Sequence, residues 1–291
     1  MLVLRVEIRP ADCDSYGHVN NAVYMTYFEQ ALAQWVTSHG YGHDWQSEGE
    51  CSWQPESLSL EYRQKVSYGD TLEGHLWLAR AHPMQPTLGF EVIAAASASG
   101  NDPAVAAFRA AGVWTRKRRD GGGPEEIPGE LLTELPRAPG VLPHDWRPPS
   151  ATPEVQEYRW DHRVGLSEVG PTRRVHLEAL YCWLEESILD ASTQAGWPLE
   201  RWLAAGFLTL QTRHTTEILS LPGAGDVVYI KSRLVEARRL GGTWLLQVER
   251  AGDGQVLVRD YSTGVHLNLQ GRPASPPLQI TQDIQSGVTH I

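Results

Sequence analysis

A short polar stretch near the N-terminus holds the side chains best suited to chemistry. Its polar members and its glycine are Asp12, Asp14, Gly17, His18, Asn20 and Asn21. A long apolar stretch follows directly. If that stretch is a helix, its first backbone N–H groups lack partners within the helix and favour a nearby anion. A carboxylate beside such donors can transfer an acyl group to water, so this loop is a candidate reactive site.

Asp14 suits two roles in acyl transfer. Its carboxylate can act as a general base on water or attack the acyl carbon itself, while helix N–H groups stabilise the oxyanion. A thiol mechanism would pair Cys13 with His18 and is less favoured, because alternation places the cysteine opposite its carboxylate neighbours. His18 could polarise the carbonyl, orient Asp14 or bond to the backbone. Asp12 is more typical of a turn or cap residue.

Hydrophobic patterning predicts the elements that position this loop. Residues 4–8 alternate between apolar and charged side chains, which indicates a half-buried strand. The stretch 22–36 is apolar nearly all round and predicts an enclosed helix, capped by Asn20 or Asn21. Further strands are predicted over residues 58–62, 71–78, 88–95 and 104–115. One strand, one long helix and four strands predict an α+β unit with the helix against a curled antiparallel sheet.

The same pattern returns later in the chain. At a constant offset of 156 residues the matched positions are Glu29 with Glu185, Glu61 with Glu217, and Gly69-Asp70 with Gly225-Asp226. Matching Gly112-Val113 to Gly264-Val265 lowers the offset to 152, which places a four-residue shortening in the last hairpin. A constant offset through helix, strand and turn predicts two fused copies of one fold.

Composition marks the boundaries between these copies. The stretch 116–153 is rich in proline and glycine and is expected to lack regular structure, apart from one helical turn at 130–134. We therefore predict a catalytic domain over residues 1–117, a linker over 118–154, a second domain over 155–273 and a C-terminal tail over 274–291.

The two copies differ at the polar loop. The offset pairs Asp14 with Gly170, Gly17 with Arg173, His18 with Arg174, Asn20 with His176, and Asn21 with Leu177. The second copy has therefore lost the polar side chains of the first. A loop with a purely structural role would be retained in both copies, so this difference indicates that the first loop carries function.

The overall composition limits the partners. The formal net charge of -10 disfavours nucleic acid and anionic membranes, which require a basic surface. Three cysteines without C-x-x-C spacing indicate neither a disulfide framework nor a zinc site. The N-terminus lacks a signal-peptide pattern, and no apolar stretch is long enough to cross a bilayer. We expect a cytoplasmic protein without metal or redox cofactor.

The loop and first helix resemble the signature of the hotdog-fold thioesterases of the 4-hydroxybenzoyl-CoA thioesterase type, and of the related plant and bacterial acyl-ACP thioesterases. The matching residues are Asp12, Asp14, Gly17, His18, Val19, Asn20, Asn21, Tyr24, Tyr27, Phe28 and Glu29. The similarity is specific in this motif and extends more weakly over residues 1–117. The resemblance implies two tandem hotdog folds, each a helix wrapped by a sheet, paired as an internal pseudo-dimer, with further homo-oligomerisation left open.

The resemblance also implies roles for individual residues. Asp14 would be catalytic, with His18 and Asn20 beside it. The helix N-terminus, with Gly17, Val19 and Asn21, would position the thioester carbonyl and hold the oxyanion. The acyl pocket would be lined by Tyr24, Tyr27 and Phe28, although aromatics at this spacing also form cores. Candidate contacts to CoA phosphates are Arg116, Lys117 and Arg118, with a solvated charge run as the alternative.

Similarity to the acyl-ACP group is incomplete. In that group the catalytic asparagine falls on Tyr16 of this chain, a later acid-cysteine pair falls on Lys65-Val66, and the active copy is the second. The resemblance therefore supports thioester hydrolysis better than it supports an ACP substrate.

The predicted function is hydrolysis of an acyl-CoA or acyl-ACP thioester to free acid and thiol. Two alternatives remain open. A hotdog hydratase or dehydratase would use Asp14 and His18 as an acid-base pair on an enoyl thioester. A binding module would hold acyl-CoA without turnover, and the second copy, which lacks the polar loop, is a precedent within this chain for a copy without catalytic residues.

Overall fold

A computed structural model describes residues 1–94, 106–137 and 154–287. The chain forms two compact units. The first comprises Met1–Asp145 with Ser167–Ala179, and the second comprises Trp146–Leu166 with Leu180–Ile291. No helix in the described part of the chain is both long and apolar enough to cross a membrane.

The first unit is an antiparallel sheet with one long helix. Its elements are β1 (Leu2–Glu7), α1 (Val23–Ser38), β2 (Cys51–Tyr62), β3 (Thr71–Arg80), β4 (Thr87–Ala94), β5 (Ala106–Arg118), β6 (Pro124–Glu125) and α2 (Gly129–Glu134). The strands follow the order β1-β3-β4-β5-β2, and β6 pairs with β5. Helix α1 contacts β1 and β3, and most of its side chains are buried. The apolar pattern of residues 22–36 thus predicted both the helix and its enclosure.

The second unit repeats this arrangement. Its elements are β7 (Tyr158–Arg163), α3 (Leu177–Gln194), α4 (Leu199–Ala204), β8 (Phe207–Ile218), β9 (Val227–Arg238), β10 (Gly241–Arg250), β11 (Val256–Asn268) and α5 (Leu278–Ser286). The strand order β7-β9-β10-β11-β8 is that of the first unit, element for element. The first turn of α3 is grouped with the first unit. The predicted α+β class and the tandem hotdog folds are confirmed.

The last strand of each copy corrects the predicted register. Glu61 pairs with Arg109, whereas its counterpart Glu217 pairs with Arg259. The offset in this strand is therefore 150 residues rather than 152, and the hairpin is six residues shorter rather than four. The glycine-valine match was misleading because Gly112 lies opposite Leu58, whose counterpart His214 lies opposite Ser262 and not Gly264.

The expected linker and tail differ from the structure. Ile127 and Leu131 are 1% and 0% exposed, so the chain that follows β5 packs onto the first unit. The expected helical turn lies in α2, and residues 138–153 lie outside the described residues. In the C-terminal stretch, α5 buries Ile280 and Ile284. A few apolar side chains anchor these segments despite their proline content.

The cores of the two units differ in polarity. Tyr181, His214, Thr216 and Asp260 are buried in the second unit. Asp260 accepts a hydrogen bond from Thr216 Oγ1 at 2.6 Å and lies 2.8 Å from His214 Nδ1, while the Tyr181 hydroxyl lies 2.6 Å from that of Thr216. The counterparts in the first unit are the buried residues Met25, Leu58, Leu60 and Ala110. The second unit has therefore replaced an apolar cluster with a charged network.

Candidate active site

The Asp14 carboxylate closes the loop that precedes α1. Its Oδ1 accepts hydrogen bonds from the Tyr16 N–H at 2.8 Å and the His18 N–H at 3.3 Å. The turn is completed by Gly17, whose φ of 76° favours glycine and whose N–H donates to the Asp14 carbonyl at 3.0 Å. Asp14 Oδ2 accepts no hydrogen bond from the described residues. One carboxylate oxygen fixes the loop, and the other can meet a water or an acyl carbon.

Asp12 anchors the base of the loop. Its carboxylate lies 2.6 Å from Arg9 Nη2 and accepts the Arg9 N–H at 2.9 Å. Burial raises the pKa of Asp12, but the hydrogen bonds from Arg9 outweigh it, so the net pKa is lowered. Asp12 is 3% exposed. These contacts favour the structural interpretation of Asp12 over a role as a second acid.

Asn20 turns the chain into the helix. Its side-chain oxygen accepts the Ala22 N–H at 2.9 Å, and its carbonyl accepts the Val23 N–H at 3.0 Å. Its own N–H donates to the Asp12 carbonyl at 2.9 Å. The predicted capping of α1 by Asn20 or Asn21 is wrong, because Ala22 holds the cap position and no side chain caps the helix; the Asn20 oxygen instead closes the turn that precedes it. The catalytic role expected for Asn20 remains a prediction.

Two of the three residues expected at the oxyanion site, Gly17 and Val19, already use their backbone N–H groups in hydrogen bonds within the protein. Gly17 directs its N–H into the loop, and Val19 is buried and donates to the Val66 carbonyl at 2.8 Å. Asn21 begins the turn that enters α1, and its carbonyl accepts the Tyr24 N–H at 3.3 Å. Asn21 therefore marks the helix end nearest the loop, where the helix dipole favours negative charge.

His18 is held beside Asp14 by the backbone. The Asp14 N–H donates to the His18 carbonyl at 2.8 Å, and the His18 backbone pairs with Ser67. The structure therefore brings Asp14, His18 and the start of α1 together, as the sequence predicted. The role of the imidazole remains a prediction.

The residues expected to line an acyl pocket are buried in an aromatic cluster. Tyr24 stacks on Phe108 with ring centroids 4.9 Å apart, and Phe28 stacks on Phe90 at 5.0 Å. Tyr24 also meets Tyr27 edge to face at 5.9 Å. These rings are almost fully buried against one another and form part of the core of the first unit, so the acyl pocket expected at these residues remains a prediction.

The cations expected to contact CoA are paired with carboxylates. The three ion pairs are Arg116 with Asp44, Lys117 with Glu56, and Arg118 with Asp120, each at 2.7 Å. Arg118 lies opposite Cys51 at one end of the β2–β5 pair, whereas the loop pairs with Ser67, beyond the other end. The structure does not bring these cations to the loop.

Sequence reasoning did not single out Glu29 as a titrating group. Its carboxylate accepts the Leu177 N–H at 3.3 Å. Burial of this carboxyl raises its pKa to about 8, although the hydrogen bond opposes the shift and Glu178 adds to it. The signal was present in the sequence, because Glu29 is the only charged residue of α1.

The second loop has the same backbone and different side chains. The Gly170 N–H donates to the Arg174 carbonyl at 3.0 Å, and the Arg173 N–H donates to the Gly170 carbonyl at 2.8 Å, as their counterparts do in the first loop. A Cβ built on Gly170 would lie 2.8 Å from the His176 ring. The imidazole therefore occupies the space that a side chain at the counterpart of Asp14 would need.

The described ranges of the chain do not contain a metal-binding cluster. There, no cluster of three or more His, Cys, Asp or Glu side chains is placed to hold a metal ion. All three cysteines are free thiols, and Cys13 lies with its Sγ 3.8 Å from the Arg9 carbonyl oxygen.

Comparison with known families and structures gives a consistent result. The model of the thioesterase-like superfamily matches residues 8–157. No protein of curated function matches the chain. The family match covers the loop, α1 and strands β2 to β6, and it begins directly after β1.

Three solved structures share the fold over both copies. A protein from Lactobacillus plantarum described as an oleoyl thioesterase has a TM-score of 0.71 at 13% identity, covering 91% of this chain and 95% of its own. The 12:0-ACP thioesterase from Umbellularia californica gives 0.70 at 12% identity, covering 91% and 93%. An acyl-ACP thioesterase from Bacteroides thetaiotaomicron gives 0.65 at 15%, covering 91% and 96%. Identities this low show similarity of fold alone.

Proposed function

The chain belongs to the thioesterase-like superfamily and is a thioester hydrolase, and from this premise we propose that it cleaves acyl-CoA or acyl-ACP with Asp14 as the reactive carboxylate. The supporting observation is that two loops with the same backbone hydrogen bonds carry different side chains. The first loop presents Asp14 beside a helix N-terminus, and the second has Gly170 at that position.

The geometry supports a simple reaction sequence. Asp14 takes a proton from water, and the water oxygen bonds to the acyl carbon. The negative charge that develops on the carbonyl oxygen is stabilised at the start of α1, where the helix dipole is positive. The C–S bond then breaks, and the proton passes from Asp14 to the departing thiolate.

A covalent route uses the same atoms. Asp14 Oδ2 attacks the acyl carbon, the thiolate leaves, and the resulting anhydride is hydrolysed by water. The hydrogen bonds to Oδ1 from the Tyr16 and His18 N–H groups orient the carboxylate in either route. Both routes require the carboxylate of Asp14.

Both candidate carriers present the acyl group on the same chemical arm. CoA and acyl carrier protein hold the thioester on phosphopantetheine, and the reacting atoms at Asp14 are identical. The named acyl-ACP specificity of the similar structures belongs to those proteins. For this chain, acyl-CoA and acyl-ACP are both proposed substrates.

A thiol-release assay tests the proposal. We expect Asp14→Ala to lower kcat at least about hundredfold, because general acid-base catalysis contributes about 10²–10⁴ in rate. The matched control is Asp120→Asn, which removes an exposed carboxylate and should leave kcat unchanged. Full thiol release by Asp14→Ala would contradict the proposal. Hydration of an enoyl-CoA without thiol release, or saturable binding without turnover, would contradict it in favour of the two alternatives.

A further inference from the structure

Tyr16 lies at the tip of the turn that presents Asp14. Its N–H donates to Asp14 Oδ1 at 2.8 Å, and the Gly17 N–H closes the turn by donating to the Asp14 carbonyl at 3.0 Å. Tyr16 is therefore the third residue of a four-residue turn that begins with the proposed reactive carboxylate. The hydrogen bond to Oδ1 holds the backbone of Tyr16 directly beside that carboxylate.

The phenol of Tyr16 has no hydrogen-bonding role within the described ranges of the chain. Tyr16 is 42% exposed, although Ser15 and Gly17 on either side of it are exposed as well. More than half of its surface is thus covered by the protein. Its hydroxyl takes part in no hydrogen bond with a described residue. This hydroxyl is available to a ligand that reaches Asp14.

The hydroxyl keeps its proton at neutral pH. Burial raises the pKa of Tyr16 above its ordinary value of 10.0, and the negative charge of Asp14 raises it further. A neutral phenol donates a hydrogen bond, and tyrosine is one of the side chains that can stabilise an oxyanion in acyl transfer. Tyr16 therefore combines a retained proton with a position beside the reactive carboxylate.

The backbone N–H groups around Asp14 are largely occupied. Those of residues 16–20 donate to oxygens within the protein, and so do those of residues 22–25. The positive end of the helix dipole still favours an anion at this position. A side-chain donor would add a direct hydrogen bond to the oxyanion that these N–H groups, which already have acceptors, do not supply.

The second copy keeps the turn and lacks the phenol. The hydrogen bond that closes the turn is present there, since the Arg173 N–H donates to the Gly170 carbonyl at 2.8 Å. At the offset of 156 residues, Tyr16 corresponds to Thr172. The turn therefore forms without tyrosine, and the phenol is missing from the same copy that lacks the carboxylate of Asp14. This shared loss indicates that the two side chains serve the same chemistry.

The geometry points to a direct donor: we propose that the Tyr16 hydroxyl donates a hydrogen bond to the thioester carbonyl oxygen and to the oxyanion that forms from it. This inference rests on the proposed function. As an oxygen nucleophile bonds to the acyl carbon, the carbonyl oxygen becomes negative, and the hydrogen bond strengthens while the phenol keeps its proton. When the C–S bond breaks, the C=O bond re-forms and the negative charge leaves with the thiolate. Tyr16 is thus a catalytic residue in addition to Asp14.

The variant Tyr16→Phe keeps the ring and removes only the hydroxyl. We expect kcat and kcat/KM for acyl-CoA to fall together by about hundredfold, the effect of removing one oxyanion donor. Tyr68→Phe is the matched control, because Tyr68 is 67% exposed and follows Ser67, which pairs with His18 of the loop. The control should have the kcat of wild type. An unchanged kcat in Tyr16→Phe would overturn the inference.

Infrared spectroscopy measures the contact itself. The probe is a ketone analogue of the acyl-CoA, in which a methylene replaces the thioester sulfur so that no bond is cleaved. We expect the carbonyl stretching band of the bound probe to lie at lower frequency in wild type than in Tyr16→Phe, because a hydrogen bond to the oxygen weakens the C=O bond. Equal frequencies would overturn the inference even if kcat has fallen, since the hydroxyl would then act only on the structure of the loop.

The contact and the proposed function can fail separately. If Asp14→Ala abolishes thiol release while Tyr16→Phe keeps the kcat of wild type, only the role of Tyr16 is wrong. If Asp14→Ala leaves thiol release intact, the catalytic proposal is wrong. The infrared comparison still decides the Tyr16 contact in that case, because the ketone probe requires no turnover. A lower frequency in wild type than in Tyr16→Phe would support the contact, and equal frequencies would overturn it.

Discussion

Asp12 and Asp14 lie in one loop, but their carboxylates differ in burial and in hydrogen-bond partners. Asp12 is buried against Arg9, which lowers its pKa despite the opposing effect of burial. Asp14 keeps one oxygen available and bonds only to backbone N–H groups. The sequence placed both in the loop and favoured Asp14 by comparison with Gly170. The contacts that distinguish them depend on the fold of the turn.

Asp12→Asn should lower the free energy of unfolding more than it affects kcat. The variant loses the charge that Arg9 binds, and we expect the free energy of unfolding to fall by about 1–3 kcal/mol. Because the folded-state pKa of Asp12 is lowered, its contribution is present above the unfolded pKa and is lost as pH falls. Urea denaturation at neutral and acidic pH measures this. Equal stability of variant and wild type at neutral pH would contradict the structural role.

The stability contributed by Glu29 should change with pH in the opposite direction to that of Asp12. Its pKa rises from 4.5 to about 8 on folding, chiefly through burial. Stability from this group is therefore fully present below the unfolded pKa and is lost as pH rises toward the folded pKa. Between these values we expect a loss of up to about 1.4 kcal/mol per pH unit. Glu29→Gln should flatten this dependence in denaturation curves, and an unchanged slope would contradict the burial.

At the scale of elements, the buried charged network of the second unit makes its stability depend on pH. Burial lowers the pKa of His214, but Asp260 and Glu185 raise it more, so the net pKa is raised. Glu185 lies 3.9 Å from His214 Nε2. A raised histidine pKa stabilises the folded state below the unfolded value of 6.5, and this stability is lost as pH rises through the folded pKa.

The first unit supplies a natural replacement for this network. The fourfold variant Tyr181→Met, His214→Leu, Thr216→Leu and Asp260→Ala installs the counterparts from the first unit. We expect it to be as stable as wild type or up to about 4 kcal/mol more stable, because well-packed apolar residues often exceed buried ion pairs.

The single variant His214→Leu, which removes only one member of the network, is to be compared with the fourfold variant. It leaves Asp260 buried without its cation and should lose about 3–5 kcal/mol. Denaturation below and above pH 6.5 should show a larger loss of stability with rising pH in wild type than in the fourfold variant, which keeps the part that belongs to Glu29. A fourfold variant less stable than His214→Leu would show that the network, and not the packing, holds the unit together.

Regular elements were predictable where periodicity is strong. The apolar stretch 22–36 and the alternating strands correspond to α1 and to most of the first sheet. Helix α2 was predicted as a single turn at 130–134, whereas α5 was missed because it follows proline and only a few apolar residues, such as Ile280 and Ile284, anchor it. The pairing of Arg119 with carbonyls, unlike Arg116 with Asp44, depends on local geometry that spacing does not encode.

At the scale of the whole molecule, duplication kept a scaffold and changed its chemistry. The strand order, the helix and the loop hydrogen bonds are the same in both copies. The side chains at the loop are not, since His176 occupies the space beside Gly170. The constant offset of 156 residues predicted that the two copies share a scaffold and differ at the loop. The observed strand pairing changes this offset only in the last strand, where it is 150 residues.

Restoring a carboxylate to the second loop should require two changes. Gly170→Asp alone brings a Cβ to 2.8 Å from the exposed His176 ring, which must turn away, and we expect a small fall in melting temperature. Adding His176→Asn, the residue of the first loop, removes the ring and should restore most of the loss. Thermal unfolding of the single and double variants measures both effects. A Gly170→Asp variant as stable as wild type would show that the loop can open without cost.

The most direct test of the account compares Asn at the two loop carboxylates. Asp14→Asn and Asp12→Asn make the same chemical change two residues apart, and both can be assayed by thiol release from acyl-CoA at saturating substrate. We predict that kcat of folded Asp14→Asn falls at least about hundredfold, while folded Asp12→Asn stays within about tenfold of wild type. Wild-type kcat in Asp14→Asn would contradict the assignment of Asp14 as the reactive carboxylate.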